Sequence, residues 1–169
     1  ILKESKIVGN KGFILGTDLS KKSLSVLKKK IVTKNIKLKQ LDLDKTSSYL
    51  SKKKFKFDKI ISSYALYYAK NPIKVIQDCS NYLKPNGCFL ITAPCYPHTL
   101  TEFADKQKTL SNELKRQINF SSKKLEKFLL KKNIRNKVFK FKNILKFKNK
   151  EDLLTFYRST VFYNKKKEK

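Results

Sequence analysis

The sequence predicts an α/β domain, a three-layer sandwich around a mostly parallel sheet. Three observations carry this. Short apolar runs alternate with amphipathic stretches through the first half of the chain, the pattern of strands joined by crossover helices. The runs tend to end on polar or acidic residues (Asp18, Asp42, Ser62-Ser63), as strand ends do where they open onto a ligand crevice. The stretch from Phe57 to Pro94, FDKIISSYALYYAKNPIKVIQDCSNYLKPNGCFLITAP, reads as strand, loop, helix, tight turn and strand, one complete βαβ unit.

In order, Ile1 to Val8 reads as the last turns of a helix, and Gly9-Asn10-Lys11-Gly12 as a turn. Phe13 to Asp18 is a strand. Ser20 is a good N-cap for a helix whose apolar stripe is Leu24, Leu27 and Ile31. Ile36 to Leu41 is the next strand, ending at Asp42-Leu43-Asp44, and Thr46 to Lys54 is a weakly patterned helix or loop. Phe57 to Ile61 has the apolar character of a strand covered on both faces. Asn71-Pro72 opens a helix, because proline is tolerated in a first turn. Ile73, Ile76, Cys79, Tyr82 and Leu83 then share a face, and Lys84-Pro85-Asn86-Gly87 stops the helix, with Asn86 or Gly87 free to turn left-handed. Phe89-Leu90-Ile91 is a strand.

Beyond Pro94, residues 99–117 are polar and read as one or two helices forming a lid or substrate-side insertion. Ser121 or Ser122 caps a helix carrying Leu125, Phe128 and Leu129. Val138 to Phe141 and Ile144 to Phe147 alternate or nearly so, as paired edge strands do. Lys150 to Phe162 is an amphipathic helix with Leu153, Leu154 and Tyr157 on one side, and residues 164–169 are a lysine-rich tail. The 169 residues make one domain of ordinary size.

The net charge is +28, from 41 lysines and arginines against 13 acids. Either an anionic partner (nucleic acid or membrane surface) or a lysine-rich coding bias accounts for it. Arg116, Arg135 and Arg158 are the only arginines, and lysines are spread along the whole length. This favours bias, because specific phosphate and base recognition leans on arginine's planar fork. A specific nucleic-acid partner is therefore not expected, nor is a membrane partner, since there is no run of about 20 apolar residues. Cys79, Cys88 and Cys95 form no C-x-x-C pair, and with one histidine no metal site is expected. Free thiols in odd number fit a reducing, cytoplasmic setting.

The motifs FDKIISSYALYY, KNPIKVIQ, YLKPNG and CFLITAP, in this order and spacing, resemble the second half of a class I S-adenosylmethionine-dependent methyltransferase of the small-molecule type. The resemblance spans roughly Gly12 to Ala93. It implies a Rossmann-like fold, S-adenosylmethionine as cofactor and a small-molecule methyl acceptor. Asp18 follows a strand, where a carboxylate can accept both ribose hydroxyls of an adenosine; it also suits the positive end of the next helix. By resemblance Asp18, with Leu19, holds the cofactor ribose. Asp42 would accept from the adenine amino group with Leu43 against the ring, unless Asp42 only starts a turn; Asp44 competes for the role. Ser63 and Tyr64 would line the methionine arm. Tyr67 and Tyr68 stand on the substrate side or pack as aromatics. His98 is a loop residue where a general base could stand. No catalytic residue is required, since in-line methyl transfer depends on alignment.

The family's first strand and glycine-rich loop have no counterpart here. Gly9 and Gly12 precede the strand ending at Asp18, the chain begins at Ile1, and it contains no methionine. It therefore reads as an N-terminally truncated piece, expected to melt without a sharp transition and to bind cofactor weakly. Two other functions fit in outline: an RNA or tRNA methyltransferase, suggested by charge, and a non-catalytic methyltransferase-like binding module, suggested by the missing loop.

Overall fold

A computed structural model describes residues 1–94, 99–106, 108, 110–131, 134–160 and 163. Two compact units divide the chain: residues 1–61 with 69–90, and residues 62–68 with 91–169.

The first unit opens with α1 (Leu2–Val8) and a turn through Gly9, whose φ is 66°. Strand β1 (Ile14–Asp18) pairs in parallel with β2 (Ile36–Gln40), Ile14 facing Ile36 and Asp18 facing Gln40. Between them lies α2 (Lys21–Lys28). Its N-cap is Ser20, whose hydroxyl accepts from Ser23 N–H at 3.1 Å, satisfying one of the orphan donors of a helix start. The helix ends before Ile31, so that residue leaves the expected stripe. After β2 a 3-10 turn (Leu43–Lys45) leads into α3 (Thr46–Ser51).

Strand β3 is Phe57–Ser63, α4 is Pro72–Ser80 and β4 is Leu83–Thr92. Asn71 caps α4 by accepting from Lys74 N–H at 3.1 Å, with Pro72 in the first turn. The buried face of α4 is Pro72, Val75, Ile76 and Cys79, and it packs on α3 around Leu50 and Ala69. Tyr82 and Leu83 fall beyond the helix end and are not part of that face; the Tyr82 hydroxyl instead donates to Ser47 O at 3.0 Å. Asn86 takes the left-handed conformation, φ 62°, but within β4; the helix itself is closed by Asn81. Phe13, Phe55 and Phe57 stack in series, with centroids 5.6 and 5.8 Å apart.

Strands β3 and β4 pair with each other. Phe57 N–H donates to Tyr82 O at 2.8 Å and Tyr64 N–H to Thr92 O at 2.9 Å, so the strands advance together and run parallel. The α/β class and parallel sense match expectation, but among the described residues the strands form two two-stranded sheets and not one ladder. Strand β3 is not covered on both faces as expected: Ile61 is 52% exposed. Cys88, in β4, is also exposed.

The second unit is helical. Helices α5 (Thr99–Lys106) and α6 (Asn112–Asn119) occupy the polar stretch. The backbone continues from α6 through a π-helical turn (Phe120–Lys124) into α7 (Leu125–Lys131), so the expected cap at Ser121 or Ser122 is not a helix start. Phe120 is 2% exposed, and burying it holds the turn inside one continuous helix. The core of this unit is Leu66, Thr101, Ala104 and Phe120; truncating a residue as buried as Leu66 to alanine costs roughly 2–5 kcal/mol. The two expected edge strands at 138–147 are not strands; that stretch is exposed and irregular. A last helix, α8 (Lys150–Arg158), is capped by Asn149 and turns Leu154 and Tyr157 inward while Leu153 stays exposed. The tail at 164–169 lies outside the described residues. Among the described residues, no helix is long and apolar enough to cross a membrane.

Candidate functional site

In the first unit, the carboxyl ends of β1 and β2 bring Asp18, Leu19, Asp42 and Leu43 together. Asp18 faces Gln40 in the ladder, and Leu41 N–H donates to Asp18 O at 3.0 Å. Asp18 and Asp42 thus stand at the ends of adjacent strands, which run about 4.8 Å apart. Asp18 is exposed and its Oδ1 accepts from Ser20 N–H at 2.7 Å. That bond uses one of roughly four lone-pair sites on a carboxylate, which leaves capacity for a diol. Leu19 is 67% exposed. Its carbonyl is held by Gln40 Nε2 at 3.0 Å, so Gln40 fixes the loop after β1. This role was missed in the sequence, where Gln40 reads only as a polar strand end.

Asp42 is half-buried and caps the 3-10 turn, its Oδ1 accepting from Asp44 N–H at 2.9 Å. Turn-starting and ligand-binding readings are therefore compatible, since the second carboxylate oxygen is not needed for the cap. Asp44 has a different task. Its Oδ2 accepts from Lys70 N–H at 3.1 Å, tying the turn to the segment that leads into α4.

Ser63, Tyr64, Tyr67 and Tyr68 belong to the second unit. Ser63 ends β3 and is exposed. Tyr64 follows it with φ 50° and is 56% exposed. A left-handed tyrosine costs about 1–2 kcal/mol, and strain of this kind clusters at functional sites. The hydrogen bond from Tyr64 N–H to Thr92 O at 2.9 Å helps hold it there. Next to Ser63, the Ser62 hydroxyl is buried without a hydrogen-bond partner. Tyr67 and Tyr68 pack on each other with centroids 4.5 Å apart. Burial, with the Tyr68 phenol beside it, pushes the Tyr67 hydroxyl up to about 12, so at neutral pH Tyr67 can donate a proton in a hydrogen bond but cannot act as a base. His98 lies outside the described residues.

The glycines are all accounted for by local packing. A Cβ on Gly12 would meet the Val8 side chain and carbonyl, one on Gly16 would meet Ile1 and Leu38, and one on Gly87 would meet the carbonyls of Lys84 and Asp58. Gly9 supplies a positive φ. No glycine cradles a helix start after a strand. The adenosine end of a nucleoside cofactor therefore has fitting residues here, and its amino-acid end has no glycine loop.

A family model described as a methyltransferase domain matches residues 2–154. The chain belongs to the methyltransferase-domain family. Its parallel strands and helices are consistent with the Rossmann-like methyltransferase fold. The chain is similar to the ubiquinone/menaquinone biosynthesis C-methyltransferase UbiE of Wigglesworthia glossinidia brevipalpis, 33% identical over 102 residues, which is 60% of this chain and 40% of that protein. The chain thus spans well under two thirds of that relative's length. No solved structure matches it.

Proposed function

We propose that this domain serves S-adenosylmethionine-dependent methyl transfer to a small-molecule acceptor. The observation that carries the reading is the pair of acids, Asp18 and Asp42, at the ends of adjacent parallel strands in a methyltransferase-domain chain. In this reading Asp18 accepts the ribose hydroxyls, with Leu19 beside it. Asp42 accepts from the adenine amino group and Leu43 lies against the ring. Ser63 and Tyr64 line the methionine arm, while Tyr67 and Tyr68 stand on the acceptor side. When bound, the cofactor supplies an electrophilic sulfonium methyl. The residues then have to align the acceptor with it, and no general base is needed among those described. The name of the UbiE relative supports a quinone-class acceptor methylated at carbon. The free thiols Cys79 and Cys88 support a reducing, cytoplasmic compartment.

The test is an amide-resolved titration with S-adenosylmethionine, followed by transfer of an isotope-labelled methyl to a quinol analogue or to RNA. Shifts at Asp18, Leu41 and Asp42, with label in the quinol, are expected. No shift at the ends of β1 and β2 at saturating cofactor would overturn the site. Label appearing only in RNA would overturn the acceptor class.

A further inference from the structure

The segment joining α7 to α8 carries a feature the methyl-transfer reading does not use. From Ile134 to Asn149 it forms neither helix nor strand, and every residue is exposed. Irregular connections this long are uncommon in compact domains unless they have a task. Its apolar side chains stand open to solvent: Phe141 is 88% exposed, Phe139 71%, Ile144 63%, Val138 57% and Leu145 53%. Interleaved with them are Arg135, Lys137, Lys140, Lys142, Lys146, Lys148 and Lys150, and the stretch contains no acid. Both ends are anchored. Ile134 N–H donates to Leu129 O at 3.2 Å, Phe147 packs on Phe156 at 5.3 Å, and Asn149 caps α8.

A coding bias scatters lysines, but it does not gather exposed phenylalanine, isoleucine, leucine and valine among them. Contiguous exposed apolar surface marks an interaction site. Apolar residues set in a polybasic frame match the boundary between anionic headgroups and acyl chains, where apolar burial and charge attraction act together. Single-stranded RNA fits less well. Phe139 and Phe141 could stack on bases, but Val138, Ile144 and Leu145 have no π face and gain nothing from stacking.

We propose that residues 134–150 dock on an anionic membrane surface, with Phe139, Phe141, Ile144 and Leu145 entering the headgroup boundary and the lysines pairing with lipid phosphates. This departs from the sequence expectation of no membrane partner. It stands independently of the methyl-transfer reading.

The experiment uses the 169-residue chain, which has no tryptophan, with vesicles of phosphatidylcholine alone or mixed with phosphatidylglycerol. Co-sedimentation with the mixed vesicles is expected. The double variant Phe139→Ser/Phe141→Ser, with unchanged charge and circular dichroism, should partition at least about tenfold more weakly. In Phe139→Trp, emission should shift to the blue on anionic vesicles and be quenched by lipid brominated in its acyl chains. Equal partitioning of the double variant and parent would reduce the binding to general charge attraction and overturn the proposal. So would equal binding to phosphatidylcholine alone, or an unshifted tryptophan in vesicle-bound protein. A tryptophan quenched by single-stranded RNA and not by brominated lipid would make this an RNA surface and overturn the proposal. Self-association lost in the double variant, with vesicle binding unchanged, would make it a contact between copies and overturn it as well.

Discussion

Replacing Gly87 by alanine should loosen the β3–β4 pair, although the substitution usually has the opposite sign. Gly87 does not need a left-handed backbone, since its φ lies outside that region. On conformational grounds alone, Gly→Ala at a compatible site stabilises by about 0.4–1 kcal/mol, because it reduces the freedom of the unfolded chain. The added Cβ would lie 2.9 Å from Lys84 O, 3.1 Å from Asp58 O and 3.2 Å from Leu83 Cβ. Two of these neighbours are backbone oxygens, which cannot swing aside as the end of a side chain can. Forcing an atom into so tight a place costs typically 1–3 kcal/mol. The steric term exceeds the entropic one, leaving a net loss of roughly 1–2 kcal/mol, a factor of about 5–30 in the opening equilibrium. The readout is hydrogen exchange at the Phe57 amide, which donates to Tyr82 O across this pair at 2.8 Å. Asn86→Gly is the control, since at φ 62° glycine removes a steric cost, and exchange should be unchanged or slower. If Gly87→Ala also leaves Phe57 exchange unchanged or slower, the close-approach argument fails.

Two further outcomes follow from the titrating groups. The Tyr67 hydroxyl titrates near 12 in the folded chain against about 10 when unfolded. Between those values the unfolded state has lost its proton and the folded state has kept it. The Tyr67 contribution to stability is therefore complete below about pH 10 and lost as pH rises toward about 12. Denaturant melts across this window should show a downward slope that Tyr67→Phe flattens, and an identical slope in the variant would contradict the burial argument. Burial also pushes the Cys79 thiol up to about 11, with Asp78 adding to the shift, whereas Cys88 is exposed. In a Cys95→Ser background, alkylation at pH 8 read by mass spectrometry should mark Cys88 first and Cys79 only after unfolding. Equal rates at the two would place Cys79 outside the core.

Much of the architecture was legible because it is decided by neighbours in sequence. Ser20 and Asn71 cap helices through bonds to the third residue on, and a short polar residue before an amphipathic run signals this directly. Asp18 and Asp42 were legible as strand-end acids for a similar reason: Asp18 closes β1, and Asp42 lies two residues beyond β2. What failed depends on distant partners. The edge strands expected at 138–147 alternate correctly, yet a strand needs another strand to pair with, and the described residues offer none. The helix break expected at Ser121 is overridden by the burial of Phe120. Asp44 looked like a rival to Asp42 until Lys70, 26 residues away, proved to be its partner. The left-handed Tyr64 leaves no local mark at all, because no glycine or asparagine announces it.

We propose that Asp18 holds the ribose of S-adenosylmethionine at the end of β1. Calorimetric titration of the cofactor into the parent, Asp18→Asn and Asp18→Ala, in the longest form of the protein, tests it directly. Asparagine retains an oxygen for the Ser20 N–H bond, so it separates the local turn from the charged ribose contact. Hydrogen bonds to a charged group are worth about 1.5–3 kcal/mol, or roughly 10- to 150-fold in affinity. Both variants should bind that much more weakly, with Asp18→Asn keeping the parent's exchange protection at Ser20. Equal affinity in all three proteins would contradict the assignment.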